Sequence, residues 1–290
     1  MERPENIAAH FKDIYNRKKI LEFDKVGKVF NSGKGKITAL EDINFSVHRR
    51  EFICVIGASG CGKSTLIRIL AGLETATSGQ VLLNGEPVEG PGPDRGMVFQ
   101  SYTLFPWLSV VENVMFGLKE NGMHKSAAKT EAMQWLELVG LEGFEYHYPH
   151  QLSGGMKQRV AIARAIANQP KLLLMDEPFG ALDPQTRSKM QQYLMQLWRH
   201  IDLTIVFITH DLDEAIYLAD RILVLKPKPG RVDEVIEIPL SRPRTPEHLT
   251  SAEFVKTKKY LEKLIHSDDD MNFDLPLEKI RLTKVGDEAE

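Results

Sequence analysis

One stretch of the chain reads Phe52-Ile53-Cys54-Val55-Ile56-Gly57-Ala58-Ser59-Gly60-Cys61-Gly62-Lys63-Ser64-Thr65, and Leu66-Ile67-Arg68-Ile69-Leu70 follows it directly. The apolar runs on either side of a glycine-rich segment predict a buried strand, a loop and a helix. Gly57, Gly60 and Gly62 let the backbone turn tightly, so that successive N–H groups can point into a concave space at the start of the helix. A helix N-terminus favours a negatively charged ligand, and the stretch is therefore predicted to bind phosphate.

Three side chains after the last glycine fit a nucleoside triphosphate. Lys63 is placed to reach the β- and γ-phosphates, Ser64 to ligate Mg²⁺ on the same oxygens, and Thr65 to reach the α-phosphate. A chance glycine turn between a core strand and a core helix is the alternative, but the flanking strand and helix are those that the motif requires. We therefore expect ATP and Mg²⁺ as cofactors, with these contact residues in the loop: Gly57, Ser59, Gly60, Cys61, Gly62, Lys63, Ser64 and Thr65.

The composition is that of an ordinary globular protein. With 290 residues, 42% hydrophobic and 27% charged, the chain can form one large domain with an inserted subdomain, or two small domains. The formal net charge of −3 gives no general attraction to nucleic acid, which we do not expect as a partner. Since no apolar run has the length of a membrane span and no signal-peptide pattern is present, we expect the chain in the cytosol. Cys54 and Cys61 have neither a zinc-site nor a disulfide-framework spacing and are predicted to be free thiols.

The apolar patterns divide the chain into three regions. Residues 1–20 are a polar lead-in with a predicted short docking helix, in which Ile7, Phe11, Ile14 and Tyr15 have helical spacing. Residues 21–240 begin with antiparallel strands and continue with alternating strands and helices, interrupted by a helical insert over about residues 101–155. Residues 241–290 comprise a proline-containing linker, a helix over residues 252–265 and a polar tail that begins at Asp268. After the loop helix, a hairpin strand is predicted over residues 79–85 and further strands over residues 97–100, 171–176, 203–210, 221–225 and 235–238.

Two adjacent carboxylates follow a buried-strand pattern, because residues 172–175 are apolar and lead into Asp176 and Glu177. In a parallel α/β sheet the end of such a strand lies beside the phosphate loop. Asp176 is predicted to hold Mg²⁺ through water, and Glu177 to take a proton from the attacking water. A polar strand end with both carboxylates in solvent is the alternative, but the phosphate loop upstream favours the catalytic interpretation.

Gln100 and His210 end two further predicted strands. Gln100 can coordinate the metal and orient a water, and His210 can hydrogen-bond the γ-phosphate and position Glu177. Taken singly, a glutamine at a strand end is usually just exposed, and a histidine there often caps the next helix. Their order after the phosphate loop favours hydrolysis over phosphate transfer by a small-molecule kinase.

A second small-residue turn, Leu152-Ser153-Gly154-Gly155-Met156, opens a predicted helix and forms another anion site. One chain then has two helix ends that can bind phosphate, but only one ATP. If two copies of the chain face each other head to tail, each ATP can lie between a helix end of one copy and a helix end of the other. Phe30, near the end of the first predicted strand, could stack on adenine, although an aromatic ring in a strand is more often packed in a core.

This order of motifs resembles that of the ATP-binding-cassette (ABC) ATPases over about residues 21–240. The resemblance implies an α/β fold: a P-loop NTPase (RecA-like) core with an antiparallel β subdomain and an inserted α-helical subdomain. It implies that two subunits enclose two ATP molecules, each held between one chain's phosphate loop and the other chain's signature turn. The implied catalytic residues are Glu177, His210 and Gln100, and the implied metal ligands are Ser64, Gln100 and Asp176. The implied nucleotide contacts outside the phosphate loop are Phe30, Ser153, Gly154, Gly155 and Asp183.

The resemblance also implies partners. ATP closes the pair of cassettes and hydrolysis opens it, and this motion passes through the helical insert to transmembrane permease subunits, with residues 105–110 as a candidate docking surface. Residues 92–100 and 104–110 look most like those of the ATPase subunits of nitrate, sulfonate, taurine or bicarbonate importers. That subgroup implies uptake of a small anion, an extracytoplasmic solute-binding protein and a peripheral position at the cytoplasmic face of the inner membrane. The alternative is a soluble cassette ATPase acting on ribosomes or DNA, but such relatives usually carry two cassettes or a long coiled coil.

Two residues within these motifs carry separate expectations. Met156 stands where the family's signature usually has glutamine, and we expect only a modest effect on turnover because Ser153 and the adjacent glycines make the main contacts. Cys61 lies at a helix N-terminus, which is expected to lower the pKa of its thiol and to make alkylation fast.

Overall fold

The computed structural model describes residues 5–33 and 35–265, and the predicted polar tail from Asp268 lies outside them. Two sheets and a block of helices make up this part of the chain. The strands, in chain order, are β1 (Lys19–Ser32), β2 (Gly35–His48), β3 (Phe52–Gly57), β4 (Ser78–Leu83), β5 (Glu86–Pro87), β6 (Arg95–Val98), β7 (Leu172–Asp176), β8 (Thr204–Ile208), β9 (Arg221–Lys226) and β10 (Arg231–Glu237). The α-helices are α1 (Glu5–Asn16), α2 (Lys63–Leu70), α3 (Val110–Glu120), α4 (Lys125–Leu138), α5 (Gly154–Ala167), α6 (Pro184–His200), α7 (Leu212–Leu218) and α8 (Ala252–Ile265).

The central sheet has the strand order β10-β9-β3-β8-β7-β6. All of its strands except β10 run parallel. Their sequences are near-continuous apolar runs because apolar clusters cover both faces of the sheet. This is clearest in β3 and β8, where every residue is buried. The parallel arrangement brings the carboxyl ends of β3, β6, β7 and β8 to one edge of the sheet, where the phosphate loop follows β3.

The second sheet is antiparallel, as the pattern of residues 21–47 predicts, and has the order β2-β1-β4-β5. Phe23 on β1 and Phe45 on β2 stack with ring centroids 4.2 Å apart. The sheet meets the central sheet at Gly230, whose N–H donates to the carbonyl of Ala39 at 3.0 Å. A Cβ atom at Gly230 would lie 2.2 Å from the carbonyl oxygen of Cys61. This close approach places β2 next to the phosphate loop.

Helices α3 and α4 lie between β6 and β7, where the sequence predicts helical periodicity. Together with α5 they enclose an apolar cluster of their own, which includes Val114, Leu118 and Leu136. Helix α3 begins at a capping box, in which the Ser109 hydroxyl accepts from the N–H of Glu112 and the Glu112 carboxylate accepts from the N–H of Ser109 at 2.8 Å. The chain segment before α3 is thereby fixed at the start of the helix.

Two strands end earlier than the sequence pattern predicts. β6 ends at Val98 rather than at Gln100, and β8 ends at Ile208 rather than at His210. β6 is an edge strand, and its ladder with β7 pairs Arg95–Val98 and stops there. The ladder between β7 and β8 likewise ends at the pair of Asp176 and Ile208. Gln100 and His210 therefore lie in loops, two residues beyond their strands.

The terminal helices lie where the sequence predicts them. Helix α1 buries Ile7, Phe11 and Ile14 on one face. Helix α8 has the predicted bounds and buries Phe254 and Leu261 in the core beside the central sheet. Among the described helices, none combines the length and the apolar character needed to cross a bilayer.

Candidate functional site

The phosphate loop, residues 57–65, turns at three glycines with positive φ. Gly57, Gly60 and Gly62 have φ values of 153°, 78° and 96°, a region that residues with a Cβ rarely adopt. A Cβ on Gly57 would lie 2.4 Å from the carbonyl oxygen of Leu225 on β9, and one on Gly62 would lie 2.5 Å from Leu40 Cδ2 on β2. The predicted glycine turns are therefore present, and β9 and β2 hold the loop from two sides.

Lys63 begins α2 and extends across the loop. Its ammonium group donates to the carbonyl of Gly57 at 2.7 Å and to that of Ala58 at 3.3 Å. Ser59 and Ser64 are exposed at the mouth of the loop. The loop thus combines a positive charge, two exposed hydroxyls and the N–H groups of the first turn of α2, a set of groups that can hold a phosphate group.

Cys61 differs from the prediction. Its side chain is fully buried, and burial raises the pKa of the thiol although Lys63 acts to lower it. The expected lowering of this pKa is therefore wrong. The physical reason is the direction of the side chain, since a Cβ on Gly57 would lie 2.7 Å from Cys61 Sγ. Cys61 supports the loop from inside, and both it and Cys54 are free thiols, as predicted.

We now expect Cys61 to react slowly with thiol reagents in the folded protein, because the reaction requires an exposed thiolate. In native buffer, a chromogenic thiol reagent should modify the cysteines at least about tenfold more slowly than in the urea-unfolded chain. The variant Cys54→Ala assigns the remaining signal to Cys61. A native rate equal to the unfolded rate, and suppressed by MgATP, would contradict this expectation and support the original one.

Asp176 ends β7 and is partly buried beside α2. Burial, followed by the neighbouring charge of Glu177, raises the pKa of the Asp176 carboxyl, while Arg68 and Lys63 act to lower it. Helix α2, which begins in the phosphate loop, packs against β7, so this carboxylate lies at the strand end near that loop. The structure thus brings the end of β7 to the loop, as the parallel-sheet argument predicts.

The donor set around the loop suits a hard divalent cation. The Ser64 hydroxyl, the Asp176 carboxylate and the Gln100 side-chain carbonyl all offer oxygen, which is the ligand atom that Mg²⁺ prefers. The set contains one carboxylate, so phosphate oxygens and water would complete an octahedral shell. These three residues could therefore hold Mg²⁺ together with a bound nucleotide.

The three catalytic candidates meet at one carboxylate. Glu177 has a φ of 46°, which is uncommon for a residue other than glycine, and its N–H donates to the carbonyl of Ile208 at 2.9 Å. Glu177 Oε2 accepts from Gln100 Nε2 at 3.4 Å and lies 3.1 Å from His210 Nδ1. A partly buried carboxylate with two side chains that fix its orientation can accept a proton from water.

Phe30 lies on β1, opposite Ile37 on β2, with 37% of its surface exposed. The ammonium group of Lys28 is 4.9 Å from the ring centroid. Two residues further along β2, the carbonyl oxygen of Ala39 would lie 3.0 Å from a Cβ on Gly62 of the phosphate loop. The ring therefore belongs to the strand pair that borders the loop, and its exposed part is open to a ligand.

The signature turn, residues 153–156, begins helix α5. The Ser153 hydroxyl accepts from the N–H of Met156 at 3.4 Å, and Ser153 itself is exposed. A Cβ on Gly155 would lie 2.8 Å from Thr186 Cγ2, and Gly154 is also closely packed. Met156 is partly buried against the apolar cluster of the helical block. The two glycines thus allow α5 to start close against neighbouring side chains.

Asp183 caps helix α6, where its carboxylate accepts from the N–H of Thr186 at 3.0 Å. Hydrogen bonds to the Asp183 carboxylate, first of all those from Thr186, lower the pKa of this carboxyl. Within residues 5–33 and 35–265, no hydrogen bond joins the signature turn or Asp183 to the phosphate loop. The structure thus places Asp176 on the strand that packs against α2 and joins Gln100 and His210 to the adjacent Glu177, whereas Ser153 and Asp183 face solvent at other helix ends.

Asn113 is a structural residue of this region that the sequence patterns did not reveal as such. It is fully buried, and its amide nitrogen donates to the carbonyls of Phe105, Leu108 and Ser109. Its oxygen accepts from the N–H of Phe105 at 2.9 Å. The available signal was a polar residue inside the apolar run of α3. Asn113 fixes the irregular segment that precedes α3.

Arg164 holds the same segment from the other side. Its guanidinium donates to the carbonyl of Thr103 at 2.8 Å and lies 5.3 Å from the centroid of the Phe105 ring. Burial lowers the pKa of Arg164. No local pattern could have indicated this contact, because its two residues are 61 positions apart in the chain.

Comparisons with known proteins identify the family of this chain. A family model described as ABC transporter matches residues 40–180. The nitrate import ATP-binding protein NrtD of Synechocystis sp. is 48% identical over 250 residues, which cover 86% of this chain and 92% of that protein. The aliphatic sulfonates import ATP-binding protein SsuB of Bacillus thuringiensis is 44% identical over 247 residues, which cover 85% of this chain and 96% of that protein. A solved dimeric structure of the ATP-binding cassette MJ0796, in a post-hydrolysis state bound to ADP and Pi, matches with a TM-score of 0.67 and 34% identity, covering 76% of this chain and 99% of that chain. The chain therefore belongs to the ABC transporter family of ATP-binding proteins.

Proposed function

We propose that this chain is the ATP-binding and ATP-hydrolysing subunit of an ABC importer. The observation that carries this proposal is the contact of Gln100 and His210 with the Glu177 carboxylate, at the sheet edge where the phosphate loop also lies. An importer subunit needs such a site because solute uptake is driven by the free energy of ATP hydrolysis. The import proteins NrtD and SsuB, to which the chain is similar over most of its length, support this choice.

In the proposed mechanism, the phosphate loop binds ATP and the sheet edge carries out hydrolysis. The N–H groups of the loop and of α2 donate to phosphate oxygens, and Lys63 balances the charge of the β- and γ-phosphates. Glu177 accepts the proton of the attacking water, while Gln100 and His210 fix the carboxylate and the water in line with the γ-phosphate. When bound, Mg²⁺ neutralises part of the phosphate charge, and Ser64, Asp176 and Gln100 would hold it.

Two copies of the chain are proposed to enclose two ATP molecules. Ser153, Gly154 and Gly155 of one copy would donate to the γ-phosphate bound by the other copy, and Asp183 would lie in the same seam. In support, Ser153 and Asp183 are exposed, and their only described cap hydrogen bonds are local. Phe30 would stack on the adenine of its own chain's ATP. The related cassette MJ0796 was solved as a dimer.

A groove beside β6 is the proposed docking site for a permease subunit. It has a volume of about 380 Å³, and its lining includes Phe105, Phe116, Arg95, Arg164 and Asn168. Arg95 Nε and Asn168 Oδ1 are buried there without a hydrogen-bond partner among the described residues. Aromatic rings next to unpartnered polar atoms suit a short amphipathic helix, with apolar side chains for the rings and polar groups for the walls.

Trp107 extends this surface, since 71% of it is exposed and its ring lies 5.6 Å from that of Phe105. We expect Trp107→Ala to weaken binding to the permease subunits by about 2 kcal/mol, or about 30-fold, because exposed tryptophans at interfaces are often energetic hot spots. ATP hydrolysis by the isolated chain should not change. The measurement is the affinity of the purified chain for its permease subunits in nanodiscs. Leu73→Ala is the control, because Leu73 is 52% exposed and follows α2, outside the groove; equal affinity losses in the two variants would contradict the docking site.

The solute is proposed to be a small anion such as nitrate, sulfonate, taurine or bicarbonate. The names of NrtD and SsuB, which refer to nitrate and aliphatic sulfonates, support this class. An extracytoplasmic solute-binding protein would deliver the anion to the permease. Attachment through the permease would place the chain at the cytoplasmic face of the inner membrane, without nucleic acid as a partner.

Isolation of the native complex through a tag on the full chain tests the proposal. We expect hydrophobic permease subunits and a solute-binding protein in the complex, and ATP-driven uptake of one of these anions by proteoliposomes. Ribosomal RNA or DNA in place of permease subunits would support a soluble cassette ATPase instead. A phosphorylated metabolite as the product of ATP turnover would indicate a kinase.

A further inference from the structure

Arg187 lies in the first turns of α6, four residues after Asp183. Its guanidinium donates from Nε to the carbonyl of Phe179 at 3.3 Å and from Nη2 to the carbonyl of Leu182 at 3.1 Å. Both carbonyls belong to the tight turns between β7 and α6, and we term residues 179–183 the D-loop turn. Arg187 therefore fixes the backbone that presents Asp183 at the surface.

The third contact of Arg187 reaches the segment after β8. Its Nη1 lies 3.5 Å from Oδ2 of Asp211, the residue that directly follows His210. Asp211 Oδ1 accepts from the N–H groups of Asp213 at 2.9 Å and Glu214 at 3.1 Å, and so caps helix α7. We term residues 209–214 the switch turn. One carboxylate thus fixes the switch turn with one oxygen and contacts Arg187 with the other.

The space between the two turns is too small for a ligand. It has a volume of about 20 Å³, and Glu177, Arg187 and His210 are among the residues that line it. A cavity of this size holds about one water molecule. The two turns are therefore connected directly, through Arg187 and the packing around it, rather than through a bound molecule.

We propose that Arg187 is a positioning residue that couples the switch turn to the D-loop turn, so that His210 and Asp183 reach their working positions together. This coupling depends on the proposed function, in which His210 acts on the chain's own ATP while Asp183 faces the second copy. A guanidinium suits the role because its planar fork donates in several directions at once, which a lysine ammonium cannot reproduce at these three acceptors. Contact of the second copy with Asp183 then shifts the position of His210, and the two ATP sites hydrolyse cooperatively.

Hydrogen exchange of the full chain without nucleotide tests the coupling itself. The variant Arg187→Met is compared with Lys189→Met, which removes a positive charge from an exposed position of the same helix. We expect Arg187→Met to speed up amide exchange by about tenfold in both the D-loop turn and the switch turn, and to leave β3 and β8 unchanged. Faster exchange in the D-loop turn alone, or equal exchange in the two variants, would overturn the proposal.

ATP hydrolysis gives a second measurement. Arg187→Met should lower kcat by about tenfold and bring the Hill coefficient towards one, while the Kd for ATP stays within about twofold of that of Lys189→Met. Arg187→Lys, which keeps the charge but loses the fork, should lie between Arg187→Met and the unmodified chain, and it serves as the readout if Arg187→Met folds poorly. A kcat of Arg187→Met within twofold of that of Lys189→Met would contradict the coupling.

A double-mutant cycle assigns the effect to the pair of Arg187 and Asp211. Asp211→Asn keeps a side-chain oxygen for the cap of α7 and removes the charge that faces Arg187. If the pair acts as a unit, the double variant should lose no more activity than the worse of the two single variants. Losses that multiply would place the two residues in separate roles. If the unmodified chain does not hydrolyse ATP, the proposed function fails, and hydrogen exchange still decides whether the two turns are coupled.

Discussion

Replacing Glu177 with glutamine is expected to lower kcat for ATP hydrolysis by about 10²–10⁴-fold, the range typical for loss of a general base. Glutamine has nearly the same shape as glutamate, so the side chain can remain between Gln100 and His210. Its amide, however, cannot take the proton of the attacking water. Since Glu177 follows β7 and lies outside the phosphate loop, the Kd for ATP should change little.

The same substitution should trap two copies of the chain around ATP. In the proposed mechanism ATP closes the pair and hydrolysis opens it, so a chain that binds ATP without hydrolysing it stays closed. Light scattering of Glu177→Gln with saturating ATP and Mg²⁺ should therefore report a dimer, and removal of the nucleotide should return the monomer. Glu137→Gln is the matched control, because Glu137 is exposed on α4 and the same chemical change there should leave turnover intact.

Two outcomes would contradict these expectations in different ways. A kcat for Glu177→Gln equal to that of Glu137→Gln would remove Glu177 from the role of general base. A strictly monomeric Glu177→Gln chain, both alone and with its permease subunits, would contradict the two-copy arrangement even if hydrolysis were lost. Measuring both turnover and mass therefore separates the chemistry from the assembly.

The phosphate loop could be predicted from the sequence because its determinants are local. The conformation of the loop follows from the glycines themselves, and the apolar runs on either side specify a strand and a helix. The position of the acidic end of β7 could be predicted as well, since parallel strands bring their carboxyl ends to one edge of a sheet. Asp176 and Glu177 therefore lie at the same edge as the loop, and Glu177 contacts Gln100 and His210.

The predictions that are wrong concern features decided by contacts with residues outside the local sequence pattern. Cys61 has the predicted position at the start of a helix, but its side chain points inward against Gly57, and burial outweighs the effect of Lys63 on its pKa. The predicted ends of β6 and β8 lie two residues beyond the observed ends, because pairing with β7 stops before Gln100 and His210. Strand length is decided by the adjacent strand as much as by apolar character.

Contacts between residues that are far apart in the chain were the hardest to predict from the sequence. Glu51 and Arg221, which are 170 positions apart, form a buried pair. Nothing in their flanking residues distinguishes them from charges at the ends of exposed strands. Arg187 and Asp211 are a second case, although Arg187 follows Asp183 by four residues and Asp211 directly follows His210.

Glu51→Met is expected to lower the free energy of unfolding by about 3–5 kcal/mol, the range for breaking a buried ion pair from one side. Glu51 has no exposed surface, and its carboxylate accepts from Arg221 Nε at 2.5 Å and Nη2 at 2.9 Å. Burial acts to lower the pKa of Arg221, yet the hydrogen bonds and charge of Glu51 raise that pKa above its ordinary value. Without the carboxylate, the buried guanidinium would lose the counter-charge that it hydrogen-bonds, although Glu237 on β10 also acts on it.

An exposed pair in the same protein provides the control. Glu41 accepts from Arg231 Nε at 3.0 Å, but the two side chains are 45% and 58% exposed. Water already solvates both charges, so Glu41→Met should lower the free energy of unfolding by about 1 kcal/mol or less. Urea unfolding followed by circular dichroism measures both variants under the same conditions. Equal losses would show that burial of the Glu51 pair contributes nothing.

The double variant Glu51→Met/Arg221→Met separates charge from packing. If the cost of Glu51→Met comes from the uncompensated guanidinium, removing that group as well should recover much of the lost stability, because apolar residues often replace buried ion pairs without loss. If the cost comes from the hydrogen bond that the Glu51 carboxylate accepts from the N–H of His48, the double variant should be at least as unstable as Glu51→Met, because it also loses the bond from Arg221 Nη2 to the carbonyl of Ser46. We expect recovery, since Glu51 directly precedes β3, and a guanidinium without its hydrogen-bonded carboxylate would lie against the apolar strand that leads into the phosphate loop.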